Sequence, residues 1–371
     1  MNVLLVTSFL DPEVGAGTAE RTRHLAIHLA TLGCKCTVIA MAGTTWRREF
    51  AAADVRVFLT GYWGNRFPIP LQLLKIWRLI RSADVVHVMG YWYLLAAVVC
   101  LIADFGQKPF ALCPAGELAP EFRGAPWKRF YYQLVGRRMI LRAASIIATT
   151  SRERDEILRT EGVATSRVMV SPNGIAPRQG AEACNIILPV KPFILFVGRL
   201  TAIKGPDILV RAFAKISDLE PNLRLIIAGP DRGMRAALQV MVQSLCMQGR
   251  VAFLGFVDET TRQHLYKNAA FLVIPSRSEV MSMVALEAAA QGTPVLLTDR
   301  CGFNEVEEVG GGLVVSADVE SLAAGLTKML GETRNGVPMG ERLRAFVLDK
   351  YAWPRIAGQL KQHLADLAGL A

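Results

Sequence analysis

Two cations five residues apart, Arg199 and Lys204, stand in the glycine-bounded stretch Gly198-Arg199-Leu200-Thr201-Ala202-Ile203-Lys204-Gly205, directly after the apolar run Phe193–Val197. Such a pair suits a diphosphate, whose growing negative charge must be neutralised as the bond to it breaks. A solvated basic loop is the plain alternative; the flanking glycines and the position at a strand end favour an anion site. Further on, Pro275-Ser276-Arg277-Ser278-Glu279 closes another apolar run, and Glu287 follows eight residues later in a segment ending Gly292-Thr293-Pro294-Val295. Glu279 is expected at or just before a helix N-terminus and Glu287 about two turns in, along a similar face. Two carboxylates so placed can grip vicinal hydroxyls of a sugar or ribose. A helix cap plus a surface glutamate would give the same spacing, but the small apolar residues around Glu287 do not suit a solvated side chain.

A third feature lies near the start. Asp11-Pro12-Glu13-Val14-Gly15-Ala16-Gly17-Thr18-Ala19-Glu20-Arg21 follows the first apolar run and opens a helix. Gly15 and Gly17 would let backbone approach a phosphate at the free N–H groups of the helix end. The dinucleotide fingerprint is incomplete, since Glu20 stands where its third glycine would fall, and a tight strand-to-helix turn explains the glycines equally well.

These residues need a scaffold that brings distant strand ends together. Short apolar runs alternate with longer amphipathic ones throughout, the signature of βαβ units and parallel sheets. Strands are expected at Val3–Thr7, Cys36–Ala40, Val55–Leu59, Val85–Met89, Phe110–Cys113, Ile146–Thr149 and Val168–Val170. After a stretch without clear period, Ala176–Ala183, which reads as a linker, the pattern restarts at Phe193–Val197, Arg224–Ala228, Val251–Leu254, Phe271–Ile274 and Val295–Leu297. Helices are expected at Ala19–Leu32, Trp127–Ala143, Pro206–Ile216 and Val280–Gln291, with a helical tail from Trp353 to Leu370. The fold class is therefore α/β: two doubly wound, Rossmann-like domains, 1–178 and 190–352, with ligands expected in a cleft between their strand C-termini.

At 371 residues, 52% hydrophobic and 20% charged, both domains can bury full cores. The seven cysteines include one close pair, Cys34 and Cys36, without the partners of a zinc pattern; buried thiols are the expectation. The longest uncharged apolar run, Tyr91 to Ala103, is 13 residues, short for a membrane span, and should be a buried helix. No basic leader is visible, so a cytoplasmic chain is expected. The net charge of +10 is uneven: residues 1–180 carry 22 Lys and Arg against 13 Asp and Glu, whereas residues 181–371 carry 20 against 19. The first half should therefore face something anionic, nucleic acid excepted, because no nucleic-acid-binding signature accompanies the charge. Within it, Leu71–Ser82 and Ala125–Ala143 interleave cations with apolar and aromatic residues. Each suits an ordinary helix packed on a sheet; together they suggest peripheral contact with an anionic membrane.

Taken together, the segments resemble the retaining glycosyltransferases of the GT-B fold, glycosyltransferase family 4. The likeness runs over nearly the whole chain: Gly15–Gly17, Asp84-Val85-Val86-His87, Pro172-Asn173-Gly174, the loop Gly198–Gly205, Ala228-Gly229-Pro230, Leu254-Gly255-Phe256 and the Glu279/Glu287 block. It implies that Arg199 and Lys204 hold the diphosphate of a nucleotide-sugar donor, that Glu287 binds ribose hydroxyls and that Glu279 binds the transferred sugar. Gly15, Gly17, Gly198, Gly229, Phe256, Met283 and Val284 would complete the donor site, with Gly17 facing the diphosphate across the cleft and residues 353–371 crossing back to the first domain. It implies no metal cofactor, the cations serving as counter-charge. The acceptor would be a lipid-linked or surface-polysaccharide saccharide.

The family commonly carries a histidine where this chain has Ala115, in Leu112-Cys113-Pro114-Ala115-Gly116-Glu117. Either that histidine is dispensable, the leaving phosphate taking the acceptor proton, or this member is altered or inactive. Glu117 and His87 are the local catalytic candidates, with a core role the competitor for His87. A sugar-nucleotide epimerase of related fold and a catalytically inactive binding subunit are the alternatives.

Overall fold

The structure is a computed structural model that describes residues 1–11, 14–64, 68–120, 123–175 and 192–370. The linker expected at Ala176–Ala183 lies outside the described residues. The chain divides into two compact units, Met1–Gly174 with Trp353–Ala371, and Ile175–Ala352.

In the first unit β1 (Asn2–Val6), β2 (Lys35–Ala40), β3 (Arg56–Leu59), β6 (Val85–Met89), β7 (Phe110–Cys113), β8 (Ser145–Ala148) and β9 (Val168–Val170) form one parallel sheet in the order β3-β2-β1-β6-β7-β8-β9. A two-stranded antiparallel ribbon, β4 (Tyr62–Trp63) with β5 (Ile69–Pro70), stands apart. Strand side chains alternate between faces. Leu4, Val6, Val86 and Val88 join the buried core beneath the helices Leu73–Ser82, Leu94–Phe105 and Arg137–Arg142. The opposite face, carrying Leu5, His87 and Ala111 in register, belongs to the helices Ala16–Thr31 and Trp353–Leu367.

The second unit has β10 (Phe193–Val197), β11 (Arg224–Ala228), β12 (Val251–Gly255), β13 (Leu272–Ile274), β14 (Val295–Thr298) and β15 (Gly312–Val315), all parallel, in the order β12-β11-β10-β13-β14-β15. Its central strands β10, β13 and β14 are buried almost throughout, as strands covered on both faces are. The two-sheet α/β class expected from the sequence is the one found.

Four local expectations need correction. β15 was not foreseen, because Gly310-Gly311-Gly312 reads as a loop; here a Cβ on Gly312 would lie 1.9 Å from the Val295 carbonyl oxygen, so the strand starts on glycine to pair closely with β14. The helix expected over Trp127–Ala143 begins at Pro126 and is interrupted by a π-helical turn, Tyr132–Gly136. The apolar run Tyr91–Ala103 does form a helix, but from Leu94 to Phe105, after Tyr91 and Trp92 have turned inward. Of the cysteines, Cys246 is exposed.

Candidate active site

In the second sheet the strand order reverses at β10, which has β11 on one side and β13 on the other. In open α/β sheets the crevice for ligands opens at the carboxyl ends of the strands flanking such a point. The two loops there are Gly198–Gly205, after β10, and Pro275–Glu279, after β13, and they are fastened together. Gly205 sits at φ +65°, and a Cβ on it would lie 2.1 Å from the Pro275 carbonyl oxygen. The Arg277 N–H donates to the Ile203 carbonyl at 2.8 Å, and its guanidinium donates to the Ala202 carbonyl at 2.5 Å and to the Asp207 carboxylate at 2.8 and 2.6 Å. Burdened with these bonds, Arg277 is structural rather than a free cation.

The consequence is that Lys204 and Glu279 meet, Nζ to Oε1 at 2.8 Å, both side chains largely buried. The other carboxylate oxygen of Glu279 accepts from Ser276 Oγ at 3.0 Å, and its own N–H donates to the Arg300 carbonyl at 2.9 Å. Arg199, on the same loop as Lys204, is exposed. The Thr201 hydroxyl between them is buried without a partner among the described residues.

Glu287 lies on the helix Met283–Ala290, whose first turn is capped by Ser282 Oγ accepting from the Ala285 N–H. Glu279 precedes that cap, and Glu287 is little more than one turn in, not two. The two carboxylates are therefore set by separate supports rather than by one helix face. Glu287 accepts from the hydroxyl of fully buried Tyr266 at 2.9 Å and pairs with Arg262 Nε at 2.9 Å. Burial, followed by the Glu287 charge, pushes the Tyr266 phenol well above its ordinary range, which keeps it a hydrogen-bond donor. Sequence reasoning missed Tyr266 and Arg262, whose helix is brought to Glu287 only by the tertiary packing.

Met283 and Val284 stand half-buried in that helix's first turn. Gly198 and Gly229 let β10 and β11 end almost in contact: a Cβ on Gly229 would lie 2.0 Å from the Gly198 carbonyl oxygen. Phe256, after β12, presents a ring that is 75% exposed. Nine of the eleven expected donor residues, Gly198, Arg199, Lys204, Gly229, Phe256, Glu279, Met283, Val284 and Glu287, thus belong to the carboxyl-end loops of one sheet or the helix that follows.

In the first unit Gly15 caps the helix Ala16–Thr31; a Cβ there would lie 2.4 Å from the Phe9 carbonyl oxygen, whereas one on Gly17 would meet nothing within 4 Å. Gly15 is thus fixed by packing. The space at Gly17 borders the free N–H groups of the first turn. Arg21, one turn on, is buried and missed by sequence reasoning. Its guanidinium donates to the carbonyls of Ser171 (2.8 Å) and Pro172 (2.6 Å) and to Ser171 Oγ and Asn173 Oδ1 (3.1 Å each), holding the Pro172–Gly174 turn to this helix.

Ala115 has φ +51°, a left-handed conformation unusual for alanine. Its loop is held by the buried Glu153 carboxylate, which accepts from the Gly116 N–H at 2.6 Å and from the N–H and hydroxyl of Thr149 at 2.6 and 2.7 Å. Glu117 accepts from the N–H groups of Tyr91 (2.6 Å) and Trp92 (3.2 Å). Burial pushes its carboxyl up from the ordinary range and those N–H groups pull it back. Its hydrogen bonds tie two loops together, so Glu117 is first of all a strut. His87 is not a catalytic candidate. Its side chain is fully buried on the face beneath Ala16–Thr31 and Trp353–Leu367, neither ring nitrogen has a partner among the described residues, and burial lowers it to about 3.

Compared with known proteins, residues 16–174 match the family described as Glycosyl transferase 4-like domain, and residues 186–345 match Glycosyl transferases group 1. An uncharacterized glycosyltransferase of Methanocaldococcus jannaschii is 33% identical over 228 residues, 58% of this chain and 58% of that protein. A D-inositol 3-phosphate glycosyltransferase of a Mycobacterium species is 30% identical over 345 residues, 82% of this chain and 75% of its own. The chain spans little more than half the length of several curated relatives it matches. Among solved structures, Anabaena HepE in complex with UDP superposes with a TM-score of 0.77 at 17% identity, covering 99% of this chain and 100% of that one, a likeness of fold.

Proposed function

This chain belongs to the group 1 glycosyltransferases, and on that premise we propose that it is a retaining transferase moving a sugar from a nucleoside-diphosphate donor to an acceptor hydroxyl. The observation that carries the reading is the meeting of Lys204 and Glu279 on two fastened loops at the reversal point of the second sheet. A cation and a carboxylate side by side there offer a diphosphate and a sugar hydroxyl their two complementary partners.

Arg199 and Lys204 take the diphosphate. Lys204 has three N–H donors, so it can hold Glu279 and a phosphate oxygen together. Glu279, oriented by Ser276 and Lys204, accepts from hydroxyls of the transferred sugar. Glu287, oriented by Tyr266 and Arg262, accepts from the ribose, and exposed Phe256 offers a face to the base. In the reaction the acceptor oxygen bonds to the anomeric carbon as the bond from that carbon to the phosphate oxygen breaks. The leaving phosphate takes the acceptor proton, and the two cations neutralise its charge without a metal. The acceptor is a lipid-linked or surface-polysaccharide saccharide, reached through peripheral membrane contact of the basic first unit.

A nucleoside-diphosphate sugar panel read by thermal shift tests this, with UDP-sugars first because UDP was the ligand of the Anabaena neighbour. A matching donor should stabilise the chain; Lys204→Ala and Arg199→Ala should each weaken its binding by about tenfold or more. Unchanged donor affinity in Lys204→Ala would overturn the site. Ala115 favours one second reading, a binding subunit without turnover. Slow donor hydrolysis lost in Glu279→Gln would exclude it.

A further inference from the structure

Three helices lie side by side on the face of the first sheet that carries Leu4, Val6, Val86 and Val88. Leu94–Phe105 is in the middle, Leu73–Ser82 on one side, and on the other Arg137–Arg142, continuing Pro126–Tyr131. Their inner faces feed the core through Ile76, Ile80, Leu95, Val99, Met139 and Ile140. An outer face that met only water should be polar. Here it is not. The middle helix has no charged residue before Asp104; Leu94, Val98 and Leu101 recur at helical spacing and stay partly exposed, Leu94 and Leu101 also packing against the core, and the row ends in Phe105 at 75% exposure. One flank adds Leu74 (76% exposed) and Trp77, the other Phe130 (67%) and Leu134 (70%).

Cations frame this apolar surface. Residues 73–82 and 126–142 contain eight Lys and Arg and no acid, and the one carboxylate of the middle helix, Asp104, is held by Arg138 and Arg142 at 2.7 Å each. Arg81 lies over the Trp77 ring at 4.9 Å and Arg138 over Phe105 at the same distance, so both guanidinium groups sit directly against rings of the apolar surface. Apolar rings and leucines at the centre with cations at the edge match the depth profile of an anionic lipid interface, acyl boundary below and phosphate above. A solvated helical layer explains the cations but not the leucines; a purely apolar protein contact explains the leucines but not eight cations against one carboxylate.

We propose that this three-helix face docks flat on an anionic phospholipid surface. It deepens the membrane-contact part of the proposed function and rests on that part alone; sugar transfer can fail while docking holds. Co-sedimentation of the full chain with phosphatidylcholine vesicles, with and without phosphatidylglycerol, tests it. Binding should need the anionic lipid and fall as salt rises. Arg129→Glu with Arg137→Glu, and separately Leu74→Ser with Phe130→Ser, should each lower it about tenfold or more, while the donor thermal shift stays unchanged as the control for folding. Equal binding to both vesicles, or variants that bind like the parent, would overturn the proposal. So would concentration-dependent dimerisation lost in Leu74→Ser/Phe130→Ser without vesicle binding, which would make the face a contact between copies of this chain.

Discussion

His87 shows how one side chain can couple folding to pH. An imidazole buried in the first sheet without a partner among the described residues stays neutral down to about 3, whereas in the unfolded chain it titrates near its ordinary value of about 6.5. Above that value both states are neutral and stability is whole. As pH falls below it, the unfolded chain binds a proton that the folded chain resists, so stability is lost at up to about 1.4 kcal/mol per pH unit until His87 itself protonates. His28 and His363, also lowered by burial, act in the same direction. His87→Leu should flatten the acid limb in urea unfolding measured from neutrality down to about pH 4, and should leave sugar transfer intact. An acid limb as steep as the parent's, or lost transfer in a folded variant, would sink this account. The sequence offered both roles for His87, since period-2 alternation shows that a strand histidine points to one face but not which face is sealed. It also marked Lys204 and Glu279 without showing that they touch; that takes the pairing of β10 with β13, which joins residues 75 positions apart.

Most strands could be placed to within a residue, because fully buried parallel strands are unbroken apolar runs and need only their own composition to be seen. β15 could not, since its close approach to β14 demands glycine, the residue that otherwise signals a loop. The π-helical turn at Tyr132–Gly136 was equally hidden: a Cβ on Gly136 would lie 2.3 Å from the Tyr91 hydroxyl oxygen, so tertiary crowding accompanies that irregularity. The junction of the two donor loops is an element-scale device of the same kind, and Gly205 is its weak point. An alanine there must hold φ near +65° and place its methyl 2.1 Å from the Pro275 oxygen, so the loops must part. Gly205→Ala should cost about 1–3 kcal/mol in denaturant unfolding and weaken donor binding by about tenfold or more. Gly17→Ala, whose Cβ meets nothing, should be near neutral in stability. If Gly205→Ala matched Gly17→Ala in both measurements, the two loops would not be a single unit.

At the scale of the molecule, the first unit is not a continuous piece of chain; it is closed by residues 353–371. Trp353 is the closing residue. It is fully buried, stacks on His24 with ring centroids 5.0 Å apart, and sits so close to Gly174 that a Cβ there would lie 2.3 Å from the indole. Ile356, Leu360 and Leu364 follow on the same buried side. The helix was legible in sequence as an amphipathic tail, but its partner was not, because an apolar stripe does not say which sheet it covers. All six tryptophans, at 46, 63, 77, 92, 127 and 353, belong to the first unit. Tryptophan fluorescence therefore follows that unit alone, while far-ultraviolet circular dichroism follows both. Trp353→Ala should remove about 3–5 kcal/mol from the first unit, moving the fluorescence transition to lower denaturant and leaving in place a second dichroism component that fluorescence does not see. If both signals shifted together, the units would unfold as one cooperative body, and the tail would support the whole chain rather than the first sheet.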